Sequence, residues 1–109
     1  MKYSEFKKYL ERDGGRCYHC GKAGDDLVPQ HRAGRGMGGS KERHRPSNII
    51  TLCSIANGLL ESDPAFAELG REYGWKLSGY ADPTASPVLE IGSWTWWILD
   101  DDGSRRPQK

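Results

Sequence analysis

The sequence predicts a small α+β domain. Three observations support this: amphipathic helical segments near 4–12, 54–61 and 64–73, a β-branched apolar run at 49–53, and a tryptophan-rich alternating segment at 94–99. The 109 residues suit a single domain spanning 1–109. A domain of this size buries a modest share of its surface, so a metal site or a cross-link would add needed stability.

In chain order, Ser4 to Arg12 reads as a helix capped by Ser4, with Phe6, Tyr9 and Leu10 on one face. Gly14 and Gly15 end it, and Cys17-Tyr18-His19-Cys20-Gly21 follows as a tight knuckle. Leu27 to Arg32 is a short strand that Pro29 makes irregular or places at an edge. Ala33 to Ser47 holds five Gly or Pro residues and no periodicity, so it is a loop. Ile49 to Cys53 is a strand, and Ser54 caps a helix running to about Glu61. A further helix starts at Pro64, capped by Ser62 or Asp63, with Phe66, Leu69 and Tyr73 on one face and Gly74 as its stop. Val88–Ile91 and Trp94–Leu99 flank Gly92-Ser93, which suits a tight hairpin turn. Both faces of Trp94–Leu99 are apolar. That pattern fits a hairpin packed on the core, or one that presents a tryptophan to a base or a partner. Residues 63–103 thus form a helix-plus-hairpin extension, and 104–109 is expected to be a flexible tail.

The chain carries three cysteines, an odd number, so disulfides cannot use them all. The charged amphipathic N-terminus lacks the apolar stretch of a secretory signal, and no run is long enough to span a membrane. The expectation is a cytoplasmic protein without a membrane partner, in which a Cys-x-x-Cys serves metal or redox chemistry. A redox role lacks the βαβ context it would need. The net charge of +1 is uninformative, but its distribution is not. From Val28 to Asn48 there are five basic residues (Arg32, Arg35, Lys41, Arg43 and Arg45) against the single acid Glu42. Such a segment is either a phosphate-contacting surface or an ordinary solvated loop.

Between residues 15 and 62 the order is knuckle, strand, Gly-rich loop, strand, helix. Within it stand Gln30-His31-Arg32, Arg35-Gly36-Met37-Gly38-Gly39-Ser40, Arg45-Pro46-Ser47-Asn48, Leu52-Cys53, Asn57 and Glu61. This ordered set resembles the HNH (ββα-metal) endonuclease family, in particular small HNH proteins of tailed bacteriophages. The resemblance covers a little under half the chain. It implies a ββα-metal core at 15–62 and a divalent-metal-dependent hydrolysis of phosphodiester bonds in DNA. His31 then falls on the general base and Asn48 on the asparagine that bridges the loop ends and orients it. Gln30 and Asn57 fall on the metal positions. Asn57 replaces the family's last histidine, and Gln30 replaces an aspartate or histidine.

Glu61 lies one turn beyond Asn57 and would supply the anionic ligand that the two amides lack. Oxygen donors of this kind suit Mg²⁺ or Mn²⁺. Arg32, Arg35, Lys41 and Arg43, with backbone amides near Gly36, Gly38 and Gly39, would hold phosphates. The family's structural zinc would use Cys17, Cys20 and Cys53, but its fourth position is Ala56, and a tetrahedral zinc wants four ligands. The thiols would then hold zinc with lower affinity, or pack as small hydrophobes without it. The partners implied are DNA and phage DNA-packaging proteins. The altered metal positions motivate an alternative: a catalytically degenerate module that binds DNA or a protein.

Overall fold

The computed structural model describes residues 1–33 and 44–108. Its fold is α+β, with three helices and two small antiparallel sheets. Helix α1 is Tyr3–Arg12. Strands β1, Leu27–His31, and β2, Ile49–Cys53, form one sheet. Helices α2, Ser54–Ser62, and α3, Pro64–Tyr73, follow. Strands β3, Val88–Glu90, β4, Thr95–Leu99, and β5, Arg105–Pro107, form the second sheet in the order β3-β4-β5.

Strand β2 organises the interior. All five of its residues are buried, as its continuous apolar composition demands. Successive side chains point to opposite faces, so β2 serves two cores. Ile49 packs with Phe6 and Tyr9 of α1. Ile50 and Leu52 join the larger cluster of Cys17, Tyr18, Cys53, Ala56, Leu60, Trp75, Val88 and Leu99. Thr51 lies on the α1 side, where its hydroxyl donates to Asp13 at 2.9 Å. Asp13 is fully buried and accepts as well from Tyr18 at 2.6 Å and from the Arg12 guanidinium at 2.8 and 2.9 Å. Arg12 reaches on to the carbonyls of Pro46, at 2.8 Å, and Ile49. A buried carboxylate is tolerable only with this full set of donors.

Local chemistry explains the helix boundaries. Asp63 caps α3, its carboxylate accepting from the amides of Ala65 and Phe66 at 2.9 and 3.3 Å. Gly74 ends α3 at φ 81°, a conformation that suits glycine. A Cβ there would stand 2.1 Å from the Pro87 carbonyl oxygen.

Several expectations change. Helix α1 begins at Tyr3, with Lys2 rather than Ser4 at the cap and no side-chain hydrogen bond there. The cap of α2 is Cys53, whose sulfur accepts from the Ala56 amide, while the Ser54 hydroxyl donates to Asp26. The β3–β4 turn takes in Ile91–Trp94, because Glu90 pairs with Thr95, and Trp94 adopts φ 52°. The segment expected as a flexible tail contains β5, which pairs with β4 through Trp97↔Pro107, Ile98↔Arg106 and Leu99↔Arg105. The Asp100–Ser104 turn makes this possible by reversing the chain, with Asp102 accepting from the Ser104 amide at 2.9 Å. Trp75 is fully buried and donates to the Leu89 carbonyl at 2.9 Å, whereas Trp94 is 62% exposed.

Candidate functional site

The β1–β2 pair and α2 form a contiguous strand–strand–helix unit, and α2 packs on both strands. Register places the last residue of β1, His31, opposite Ile49 and Gln30 opposite Ile50. Asn48 immediately precedes β2 and is fully buried. Its Oδ1 accepts from the Ala33 amide at 2.8 Å and its Nδ2 donates to the Ala33 carbonyl at 3.3 Å. The Arg32 amide donates to the Asn48 carbonyl at 2.8 Å. Asn48 therefore ties together the two chain ends of the 34–43 segment, next to His31.

Gln30 and Asn57 meet across the unit. Asn57 Nδ2 donates to Gln30 Oε1 at 2.6 Å, and Gln30 Nε2 donates to the His31 carbonyl at 2.8 Å. Gln30 is buried and Asn57 half-buried. Glu61 is exposed on α2, one turn beyond Asn57, and among the described residues it makes no hydrogen bond to either amide. These three side chains are oxygen donors suited in kind to a hard divalent cation. As arranged, a single hydrogen bond joins the two amides, from Asn57 Nδ2 to Gln30 Oε1, and Glu61 stands one turn further along α2.

His31 is half-buried. Its Nε2 lies 3.4 Å from His44 Nδ1, with ring centroids 5.5 Å apart and planes inclined by 30°. His44 Nε2 in turn lies 3.0 and 3.2 Å from the two carboxylate oxygens of Glu5, on α1. The hydrogen bond from His44 outweighs desolvation and, with the positive fields of His44, Lys8 and the amino terminus, holds the Glu5 carboxyl below the usual range. Neither His44 nor Glu5 stands out in the sequence. One is the second histidine of a basic loop and the other a first-turn helix acid, and the fold brings them together across 39 positions.

Arg32 corrects an expectation. It is fully buried and cannot contact DNA phosphates. Its guanidinium donates to the carbonyls of Gly74 at 2.8 Å, Ser47 at 2.9 Å, Pro83 at 3.2 Å and Pro87 at 3.5 Å, and also to that of Ser86. Burial pushes its pKa down to about 10, still far above neutrality, so it stays charged. Arg32 follows the last residue of β1 at a bend, and from there its side chain reaches the C-terminus of α3. Arg35, Lys41 and Arg43 lie outside the described residues, as do Gly36, Gly38 and Gly39.

The three cysteines, all free, lie together. The sulfurs of Cys17, Cys20 and Cys53 fall within 4.8 Å of one another and could hold a metal ion. Cys20 Sγ is 3.9 Å from Cys53 Sγ. The His19 amide donates to Cys17 Sγ at 3.3 Å and the Ala56 amide to Cys53 Sγ at 3.4 Å. Burial pushes the Cys17 thiol up to about 11. Burial acts the same way on exposed-side Cys20, but the Lys22 amide and the two neighbouring thiols outweigh it and lower its pKa. Three soft donors fit a thiophilic ion, with Ala56 at the fourth position contributing no side-chain ligand. The His19 ring does not complete the set. It packs edge-on against Phe66 and Trp75, with centroids 5.0 and 5.4 Å away.

Comparison of the chain with family models, with curated proteins and with solved structures finds no match.

Proposed function

We propose that this chain is a divalent-metal-dependent DNA endonuclease of HNH type, acting with phage DNA-packaging proteins as the sequence resemblance implies. One observation carries the reading: Gln30 on β1 contacts Asn57 on α2, with His31 next on β1 and Asn48 clasping the loop ends beside it. Gln30 and Asn57, 27 positions apart, thereby meet within one strand–strand–helix unit in the order that the resemblance requires.

In this reading His31 takes a proton from a water molecule as that water attacks phosphorus. The new bond runs from the water oxygen to phosphorus, and the bond to the 3′ oxygen breaks. The leaving oxygen takes up a proton from solvent. Asn48 fixes the backbone on which His31 sits. Gln30, Asn57 and Glu61 would hold Mg²⁺ or Mn²⁺, which supplies positive charge to the phosphorane and the leaving oxygen. Cys17, Cys20 and Cys53 would hold a structural Zn²⁺ whose fourth ligand comes from outside the chain's own thiols.

The test is nicking of supercoiled plasmid DNA under Mg²⁺ or Mn²⁺. Cleavage that His31→Ala abolishes supports the reading, and cleavage that survives this substitution removes His31 as the base. A second reading has its own observation. The hydrogen bond between Gln30 and Asn57 closes the two amides on each other, which favours a degenerate module that binds DNA without cutting it. Salt-sensitive DNA binding with no cleavage under any divalent metal would establish that reading instead.

A further inference from the structure

We infer that Glu5 and His44 form a positioning relay that sets the tautomer of His31, which makes the N-terminal helix part of the catalytic site. The inference rests on the nuclease reading for its purpose, but its geometry stands independently.

An ionised carboxylate only accepts hydrogen bonds. Glu5 places both oxygens near His44 Nε2, at 3.0 and 3.2 Å, so that nitrogen carries the hydrogen. A neutral imidazole has one N–H and one lone pair, so the lone pair of His44 lies on Nδ1. Nδ1 faces His31 Nε2 at 3.4 Å, long for a hydrogen bond but with the two rings inclined by only 30°. His31 therefore carries its hydrogen on Nε2 and its lone pair on Nδ1. The second partner of a functional histidine decides which of its ring nitrogens is the base.

Glu5 is held in place by the fold as a whole. The next residue, Phe6, packs with Tyr9 against Ile49, and Ile49 is the register partner of His31. Two turns further on, Arg12 fastens α1 to the carbonyls of Pro46 and Ile49 on either side of Asn48. Helix α1 lies outside the 15–62 unit, yet its docking on β2 presents Glu5 to His44. A contact between exposed side chains contributes little to stability, so its consequence lies in the tautomer that it imposes on His44.

Two measurements test the relay. The first is the ring-nitrogen ¹⁵N spectrum of the full chain at about pH 8.5, where ordinary histidines are neutral. The wild type should show both His31 and His44 protonated on Nε2. Glu5→Leu should shift His44 and His31 toward a mixture of tautomers, whereas Glu5→Gln, which keeps an accepting oxygen, should retain the wild-type pattern. His31 protonated on Nδ1 in the wild type, or ring shifts indifferent to Glu5→Leu, would overturn the inference. Glu5 is partly exposed and Phe6 and Tyr9 are untouched, so these variants keep the α1 packing.

The second measurement is plasmid cleavage. Glu5→Leu and His44→Phe should each lower kcat by roughly ten- to a hundredfold with KM unchanged, the range typical of lost outer partners. His44→Asn, whose amide oxygen can accept from His31, should recover part of the loss. An unchanged kcat in Glu5→Leu and His44→Phe would refute the relay while leaving the nuclease reading intact. A wild type that cuts no DNA would remove the nuclease reading, and the ¹⁵N spectra would still decide the relay.

Discussion

Arg32→Met is the most informative perturbation of the fold. Arginine at this position is a hub: its five N–H groups serve carbonyls at Ser47, Gly74, Pro83, Ser86 and Pro87. These carbonyls belong to the 46–48 turn, the end of α3 and the approach to β3. Among the described residues no carboxylate pairs with the guanidinium. Among the described residues its hydrogen bonds all go to backbone carbonyl dipoles. Methionine fills much of the same volume, so the substitution leaves packing nearly intact and isolates the hydrogen bonds. Each buried carbonyl left without a donor costs about 1–3 kcal/mol. Removing the buried charge returns several kcal/mol of desolvation. With three well-formed bonds, at 2.8 to 3.2 Å, and two outer ones, the net loss is about 3–5 kcal/mol. That is a large part of the roughly 5–15 kcal/mol expected for a domain of this size. Arg32→Lys keeps the charge but loses the planar fork and should cost about half as much. Urea unfolding followed by the fluorescence of the four tryptophans gives the midpoint and slope. A shift of less than about 1 kcal/mol in Arg32→Met, with an unchanged slope, would refute the claim that Arg32 joins these segments.

Three further predictions are independent of it. Gly74→Ala should destabilise by about 3 kcal/mol, because the alanine would meet the Pro87 carbonyl and occupy a left-handed conformation; the urea midpoint checks this. Burial raises the Asp101 pKa, but hydrogen bonds from Arg45 and Ser47 outweigh it and leave it lowered. A depressed folded pKa means stability that is present above the ordinary carboxylate range and lost as pH falls through the folded value. Acid titration monitored by circular dichroism should therefore show Asp101→Asn losing less stability than the wild type below about pH 4. Metal analysis of the purified protein should find a thiophilic ion that chelation removes, with a fall in Tm, and Cys20→Ser should abolish both binding and the Tm response. A Tm unaffected by chelator would leave the three sulfurs as ordinary packing groups.

Much of the fold was legible in the sequence. The apolar run of β2, the α3 stop at Gly74 and the Asp63 cap each follow from local chemistry that a few neighbouring residues express. Ser4 and Ser54 fit as caps by local sequence, but α1 begins at Tyr3, which places Ser4 inside it, and the Ser54 hydroxyl donates to Asp26 while Cys53 takes the cap. Arg105–Pro107 looks polar and unstructured, yet β4 offers an unpaired edge and the chain reverses onto it.

The sequence by itself determined the order of elements up to β4, a glutamine immediately before His31, an asparagine on the helix after β2, and the absence of a fourth cysteine. Those are matters of residue identity and spacing, which no fold can alter. Tertiary structure decided which of these residues face one another. It turned Arg32 from an expected phosphate contact into the buried joint of three segments, because distant carbonyls gather around its guanidinium just past the end of β1. It brought Glu5 to His44 across the chain and left Gln30 and Asn57 hydrogen-bonded to each other. Contacts of this kind depend on how helices dock on β2, and docking is set by burial summed over the whole domain rather than by any local run of residues.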